Sequence, residues 1–507
     1  VHIRLKEEVK MEQLSRKNFP HELQVGASAP AETGIVHIGL AQFHRAHAAV
    51  ATAQALEAEP GPWGIVGVAS HNHKIVDAMQ KQDGLYSILQ LTPHGESVQV
   101  VDVHRKFLVA ADDPQAVIDA IAQPQHKIVT ITVSEHGYHK DPRTGDLNLE
   151  DPEVKDDVAG NPPVTTIGLI ARGLEKRFKE SGAPITILSC DNVQSAGTQT
   201  HMLVLQFLKA AGAPDELTQW IEKSVTFPNS MVDRIVPGTT DATREAVERI
   251  AGFHDDVPVP AEEFTMWVIE DKFAAGRPAW EHATGVIFSD EVEKYEVVKL
   301  RLLNGSHSLI SYLGGLDGRD TIPASRTQPF VEECVRNALY DEYLPSIDLP
   351  HGFDPDAYIA QLFERWTNFS LGDKTARVGS DGSVKLLQRI PEPSIRLLKQ
   401  GIMPQQMALT AAAWICCVCP PAGFAPGAIA DAMVEPKRDA LRAAVEAAGA
   451  QTTRDHVMAI MRGGFFPDDL VQYDAFNERV AELADIIVTK GVRSAAAEAC
   501  RTRLAKF

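Results

Sequence analysis

Gly34-Ile-Val-His-Ile-Gly39-Leu-Ala41-Gln-Phe43-His-Arg45 is a short apolar run that ends on a glycine and leads into an alanine-rich segment, residues 45–58. Residues 34–39 read as a buried strand and residues 45–58 as a helix, with residues 63–69 as a second strand. Residues 75–82 read as a short helix and 98–109 as a strand. Residues 127–133 and 185–189 read as further strands, with a helix over 166–181 between them. Strands that alternate with helices imply an α/β fold, a doubly wound and mainly parallel sheet. From about residue 296 the strand signal fades. Helices are expected over 297–314, 327–343, 355–368, 404–418, 427–449, 453–462 and 470–504. The first 33 residues, polar and containing proline, read as an arm packed on the surface.

A chain of 507 residues is too long for one ordinary core. Two domains are therefore expected: residues 1–290, which include the arm, and a mainly α-helical domain over 291–507. Composition is that of an ordinary globular protein, 44% hydrophobic and 23% charged. A net charge of −19 argues against nucleic acid and against an anionic membrane surface. No apolar run reaches the ~20 residues that span a bilayer, and Val1-His-Ile-Arg-Leu-Lys lacks a signal-peptide core, so a cytoplasmic location is expected. The six cysteines are too sparse for a disulfide scaffold. Their one cluster, Cys416-Cys417-Val-Cys419, lacks the second ligand pair of a zinc site and reads as buried thiols; no metal is expected.

The turn Gly39-Leu-Ala41-Gln-Phe43-His-Arg45 lies where a dinucleotide pyrophosphate rests between a first strand and a first helix. Ala41 stands where the fingerprint has its second glycine. At the end of the second strand, where a carboxylate usually binds the ribose hydroxyls of NAD, the chain reads Ala69-Ser70-His71-Asn-His-Lys74. No acid is present, so NADP stays open beside NAD.

Chemistry concentrates in Lys299-Leu-Arg-Leu-Leu-Asn304-Gly-Ser-His307. At about 100° per residue, Glu296, Lys299, Asn304 and His307 fall within an arc of roughly 140° on a helix. Alcohol oxidation by hydride removal needs a base for the hydroxyl proton. It also needs fixed donors around an oxygen that becomes alkoxide-like. An amine, an amide and an imidazole can supply both without a metal.

The spacing Lys-x4-Asn-x2-His resembles that of the polyol-specific long-chain dehydrogenases, the family of mannitol 2-dehydrogenase and fructuronate reductase. Further matching blocks, in family order, are Gln82-Asp83-Gly84-Leu-Tyr86, Thr132-Val-Ser-Glu135-His-Gly137-Tyr138, Ser189-Cys-Asp191-Asn192, Phe227-Pro-Asn229-Ser-Met-Val-Asp233-Arg234 and Trp267-Val-Ile-Glu270-Asp271. The resemblance spans residues 34–390.

It implies a Rossmann-type N-terminal domain, a helical second domain, and metal-independent transfer of hydride between NAD(P) and an open-chain sugar alcohol. It further implies Lys299 as general base, Asn192 and Asn304 holding the alkoxide, His307 bonding the oxygen and Glu296 in a proton path beside the base. Asp233, Arg377 and Lys385 would hold the substrate. Arg377 and Lys385 flank the turn at Asp381-Gly382. Cofactor contacts would come from Gly39, Ala41, Phe43, Arg45, Ser70 and His71. D-mannitol and D-fructose are the expected pair, with fructuronate reductase or D-arabinitol dehydrogenase as alternatives and a monomer as the working form. The non-enzymatic alternative, an idle dinucleotide-binding sensor, need not keep the base and amide set that this chain keeps.

Overall fold

The computed structural model describes residues 11–141 and 144–504; the opening segment Val1-His-Ile-Arg-Leu-Lys lies outside the described residues. Two compact units divide at Glu293 and Lys294.

The first unit is built on six parallel strands: Thr33–Ile38 (β1), Gly64–Ala69 (β2), His104–Val109, Ile128–Ile131, Ile185–Ser189 and Val225–Thr226. Tyr86–Thr92 (β3) and Gly95–Val101 (β4) intervene in the chain, which makes the remaining strands of the sheet β5, β6, β7 and β8 in turn. The order β5-β2-β1-β6-β7-β8 is doubly wound, with its switch point between β1 and β6. Residues 34–38 of β1 are all buried because a central parallel strand is covered on both faces. Ile35 packs into one apolar layer and Val36 and Ile38 into the other, as strand alternation requires.

Three local readings are corrected. Residues 98–109 are not one strand: β4 pairs antiparallel with β3 in a separate sheet, and β5 pairs with β2. The break falls at Asp102, a buried carboxylate forked by Arg16 at 2.5 Å and bonded by Arg105 at 2.6 Å. Residues 45–58 form two helices, Gln42–Ala46 and Ala48–Ala58, because His47 (φ −123°, ψ −91°) is not helical. The N-terminal arm is not merely superficial, for Leu14, Phe19 and Val25 are buried.

The second unit is helical. Its centre is Gln405–Val418, every residue of which is buried, packed against Asp474–Lys490 and Ser306–Leu316. The side-chain carboxylate of Glu342 meets the start of this helix, accepting from the backbone amides of Gln406 (2.6 Å) and Met407 (2.9 Å). Several expected long helices are interrupted: 427–449 by a gap that holds Pro436, and 470–504 at Gly491, whose φ of 85° suits glycine. Others continue as π-helix, over Lys299–Gly305, Ala338–Tyr343 and Met461–Phe465. No helix among the described residues is long and apolar enough to cross a membrane.

Candidate active site

In the first unit, the end of β1 turns on Gly39. Its φ is +105°, and a Cβ there would lie 1.9 Å from the carbonyl oxygen of Thr132, at the end of β6. Only glycine fits both constraints. The amides of Gly39 and Leu40 both donate to the Val68 carbonyl at 2.9 Å, which ties the turn to β2. Ala41 is extended (φ −143°, ψ −169°) and exposed, so alanine in place of the fingerprint glycine imposes no conformational strain.

The expected cofactor residues then separate. Ala41 and Arg45 line a cavity of about 690 Å³ that also takes in Asn72 and Lys74, within the size range of small-ligand sites. Arg45 is buried and spends its guanidinium on the carbonyls of Val257 (2.5 Å) and Ala41 (3.3 Å), with Tyr86 beside it; it orders the turn as well as charging it. Phe43 stacks on His47, ring centroids 4.9 Å apart. Ser70 and His71 are exposed at the end of β2. Lys74 was read as standing near the cofactor's ribose, though not as a contact, and Asn72 was missed. Asn72 had a signal: it caps the helix His73–Lys81, its side chain accepting from the amide of Ile75 at 3.3 Å.

Behind the turn lie three buried histidines. His37 and His44 stack with centroids 3.3 Å apart, and Nε2 of His44 is 3.1 Å from Nε2 of His104. Burial lowers His37 to about 3. Burial, reinforced by neighbouring positive charge, holds His44 and His104 well below the ordinary histidine range.

At the end of β7, the block Ser189-Cys-Asp191-Asn192 presents Asn192 exposed and Asp191 buried. Asp191 accepts from the Val133 amide at 2.7 Å, from Tyr138 and from Ser189 at 3.2 Å, so two of the blocks that carry the resemblance meet at one carboxylate. Burial raises it to about 7 despite those bonds. Asp233 is buried on Ser230–Asp233, while its neighbour Arg234 donates to the carbonyls of Glu262 and Ala46. His139 pairs with Asp151 (3.1 Å) and Glu153 (3.6 Å), an arrangement that sequence spacing did not announce.

Val292–Val298, the π-helical Lys299–Gly305 and Ser306–Leu316 run on without a break. A π turn closes i to i+5, so Lys299 and Asn304, five residues apart, come over one another as i and i+4 do on an α-helix. The face expected from α spacing is thereby narrowed. Glu296 is buried, and Lys299, Asn304 and His307 are half-buried. Gly305 has Tyr343 against it: a Cβ would meet the Tyr343 hydroxyl at 2.5 Å. Tyr343 itself belongs to the π turn Ala338–Tyr343. His307 has the Trp366 ring 5.8 Å away.

The turn expected at Asp381-Gly382 joins two short helices. Arg377 lies on Thr375–Gly379 and Lys385 on Gly382–Arg389, joined through Asp381 in the left-handed conformation. Arg377 is exposed and paired with Asp373. Lys385 donates to the carbonyls of Ser380 (2.7 Å) and Val378 (3.3 Å), and burial, assisted by Arg389, lowers it to about 8. Cys416, Cys417 and Cys419 are buried in or beside the central helix, where burial raises their thiols.

Comparison with known proteins places this geometry in a family. The mannitol dehydrogenase Rossmann domain matches residues 33–282, and the mannitol dehydrogenase C-terminal domain matches residues 291–487. The chain belongs to the mannitol dehydrogenase family. It is 34% identical to the D-mannonate oxidoreductase of Escherichia coli over 92% of its own length and 95% of that protein's. It is also 34% identical to a mannitol 2-dehydrogenase of Aspergillus clavatus, over 90% and 91%. Among solved structures, a substrate-free D-sorbitol dehydrogenase superposes with a TM-score of 0.83 at 28% identity, over 96% of this chain and 100% of that one. Pseudomonas fluorescens mannitol 2-dehydrogenase, solved with NAD and D-mannitol, gives 0.81 at 29% identity, over 96% and 99%. Like other members of the mannitol dehydrogenase family, the protein is an oxidoreductase dependent on a pyridine nucleotide.

Proposed function

We propose that this enzyme interconverts an open-chain sugar alcohol and its ketose, D-mannitol and D-fructose foremost, with NAD, and that Lys299 is its general base. The carrying observation is the π turn, which aligns Lys299 with Asn304 on a face that His307 continues. The cavity beside Gly39 suits a dinucleotide in size and position, and Ala41, Asn72 and Lys74 would hold it. NAD, when bound, supplies the hydride acceptor. Nζ of Lys299, in its neutral form, takes the hydroxyl proton. The amide of Asn304 donates to the oxygen as it becomes alkoxide-like, and His307 bonds the same oxygen. Asn192 is the second amide in the role the resemblance gives it, Glu296 passes the proton onward, and Asp233 and Arg377 meet the remaining hydroxyls.

D-mannonate and D-fructuronate are the second reading. It is favoured by the near-complete coverage of the Escherichia coli D-mannonate oxidoreductase and by the cations Arg377 and Lys385 on adjoining helices. NADH oxidation with fructose, fructuronate, tagaturonate and xylulose separates the two; activity with none would refute both. An amine and two amides replace a Lewis acid in this mechanism, so activity should survive exhaustive EDTA treatment, and elemental analysis should find no stoichiometric zinc. One zinc per chain with inactivation on its removal would refute it. The working form is taken as the 55.3 kDa monomer, which sedimentation tests.

A further inference from the structure

The dinucleotide cavity departs from an NAD site at the adenosine end. The general rule places an acid after β2, where it bonds the ribose diol and repels a 2′-phosphate. Here β2 ends at Ala69, and the exposed run Ser70-His-Asn-His-Lys74 offers no carboxylate. What lines the cavity instead is cationic. Lys74 stands in the first turn of His73–Lys81, and Arg244 comes from a different element, Asp241–Ala251.

The cavity's four cations differ in how they are occupied. Lys81 is paired with Asp256 at 3.0 Å, and Arg45 is bound to backbone carbonyls. Lys74 makes no ion pair among the described residues. Arg244 is held by Asp241 at 2.8 Å, but that carboxylate is 94% exposed, so the pair is weak and easily exchanged. The cavity's other carboxylate is Asp77, three residues after Lys74 on the same helix. Both Lys74 and the helix N-terminus add positive potential where a phosphate on the 2′ position would lie.

We propose that this cavity also accepts the 2′-phosphate of NADP, with Lys74 and Arg244 as the residues that set cofactor specificity. The inference rests on reading the cavity as the dinucleotide site. The enzyme then has dual specificity: the cations, which outnumber Asp77 and Asp256 in the lining, reward the phosphate, and no acid stands directly after β2 to repel it.

Binding tests this without knowledge of the substrate. Titration by nicotinamide fluorescence should give dissociation constants for NADPH and NADH within about tenfold of each other, with NADPH the more salt-sensitive. Lys74→Ala and Arg244→Ala should each weaken NADPH about tenfold more than NADH. His71→Asp, which restores an acid after β2, should shift preference toward NADH by a similar factor. Wild-type NADPH bound a thousandfold more weakly than NADH, or variants that weaken both equally, would overturn the proposal while leaving the cavity a dinucleotide site. Failure of both nucleotides to bind a folded protein would overturn the underlying reading as well.

Discussion

The turn at Gly39–Arg45 and the turn at Lys299–Gly305 are both departures from regular structure, but they present opposite things. In the first, side chains face inward: Arg45 on carbonyls, Tyr86 on the Arg45 carbonyl at 2.6 Å, His44 against His37 and His104. The backbone of this turn is fixed by one glycine. In the second, the backbone is rewound so that side chains line up, Lys299 over Asn304. A backbone site should fail through conformation and a side-chain site through chemistry.

The largest effect follows from the second turn. Lys299→Ala should slow alcohol oxidation by ~10²–10⁴-fold, the scale of a lost general base. The rise of kcat/KM with pH that reports its deprotonation should vanish with it. A near-normal rate with an unchanged pH profile would remove Lys299 from the mechanism.

Gly39→Ala probes the first turn. Positive φ alone costs about 1–3 kcal/mol for a non-glycine residue, and the Thr132 carbonyl blocks the Cβ as well. Urea unfolding of the first unit should register a loss of about 3 kcal/mol or more, with cofactor affinity reduced in the remaining folded protein. Wild-type stability would mean that the turn is not the constraint described here.

A smaller change is expected at Arg377, exposed and remote from the Lys299 face in sequence. Arg377→Ala should raise KM about tenfold with little change in kcat, since uniform binding is lost. A purely lower kcat would contradict that.

The gentlest test uses acid. His37, held at about 3, and His44 and His104, held well below their ordinary value, are neutral when folded but protonate near 6.5 when unfolded. Their folded values are depressed, so the stability they allow is complete above pH 6.5 and is lost as pH falls toward 3. Hydrogen exchange between pH 7 and 5 should show β1 and β5 losing protection before the central helix Gln405–Val418. Equal loss in both would break the contrast between the units.

These contrasts also explain what was legible in the sequence. β1 could be read because a doubly buried parallel strand is mostly apolar, Thr33 and His37 apart, and its glycine marks the end. The β3–β4 sheet was lost because Asp102, which divides β4 from β5, is held by Arg16, 86 residues away, as well as by the nearby Arg105. The proposed chemical face was read from α spacing, but the π turn within it was not, since a π turn leaves no mark on apolar periodicity. The turn between Arg377 and Lys385 was read from Asp381-Gly382, but the short helices that it joins were not.

In the proposed mechanism the chemistry of Lys299 is separable from cofactor binding. NADH titration of purified Lys299→Ala tests it most directly. The account predicts a dissociation constant within about twofold of wild type in a protein whose turnover has fallen by at least ~10². A variant that loses NADH affinity in proportion to its rate would contradict it.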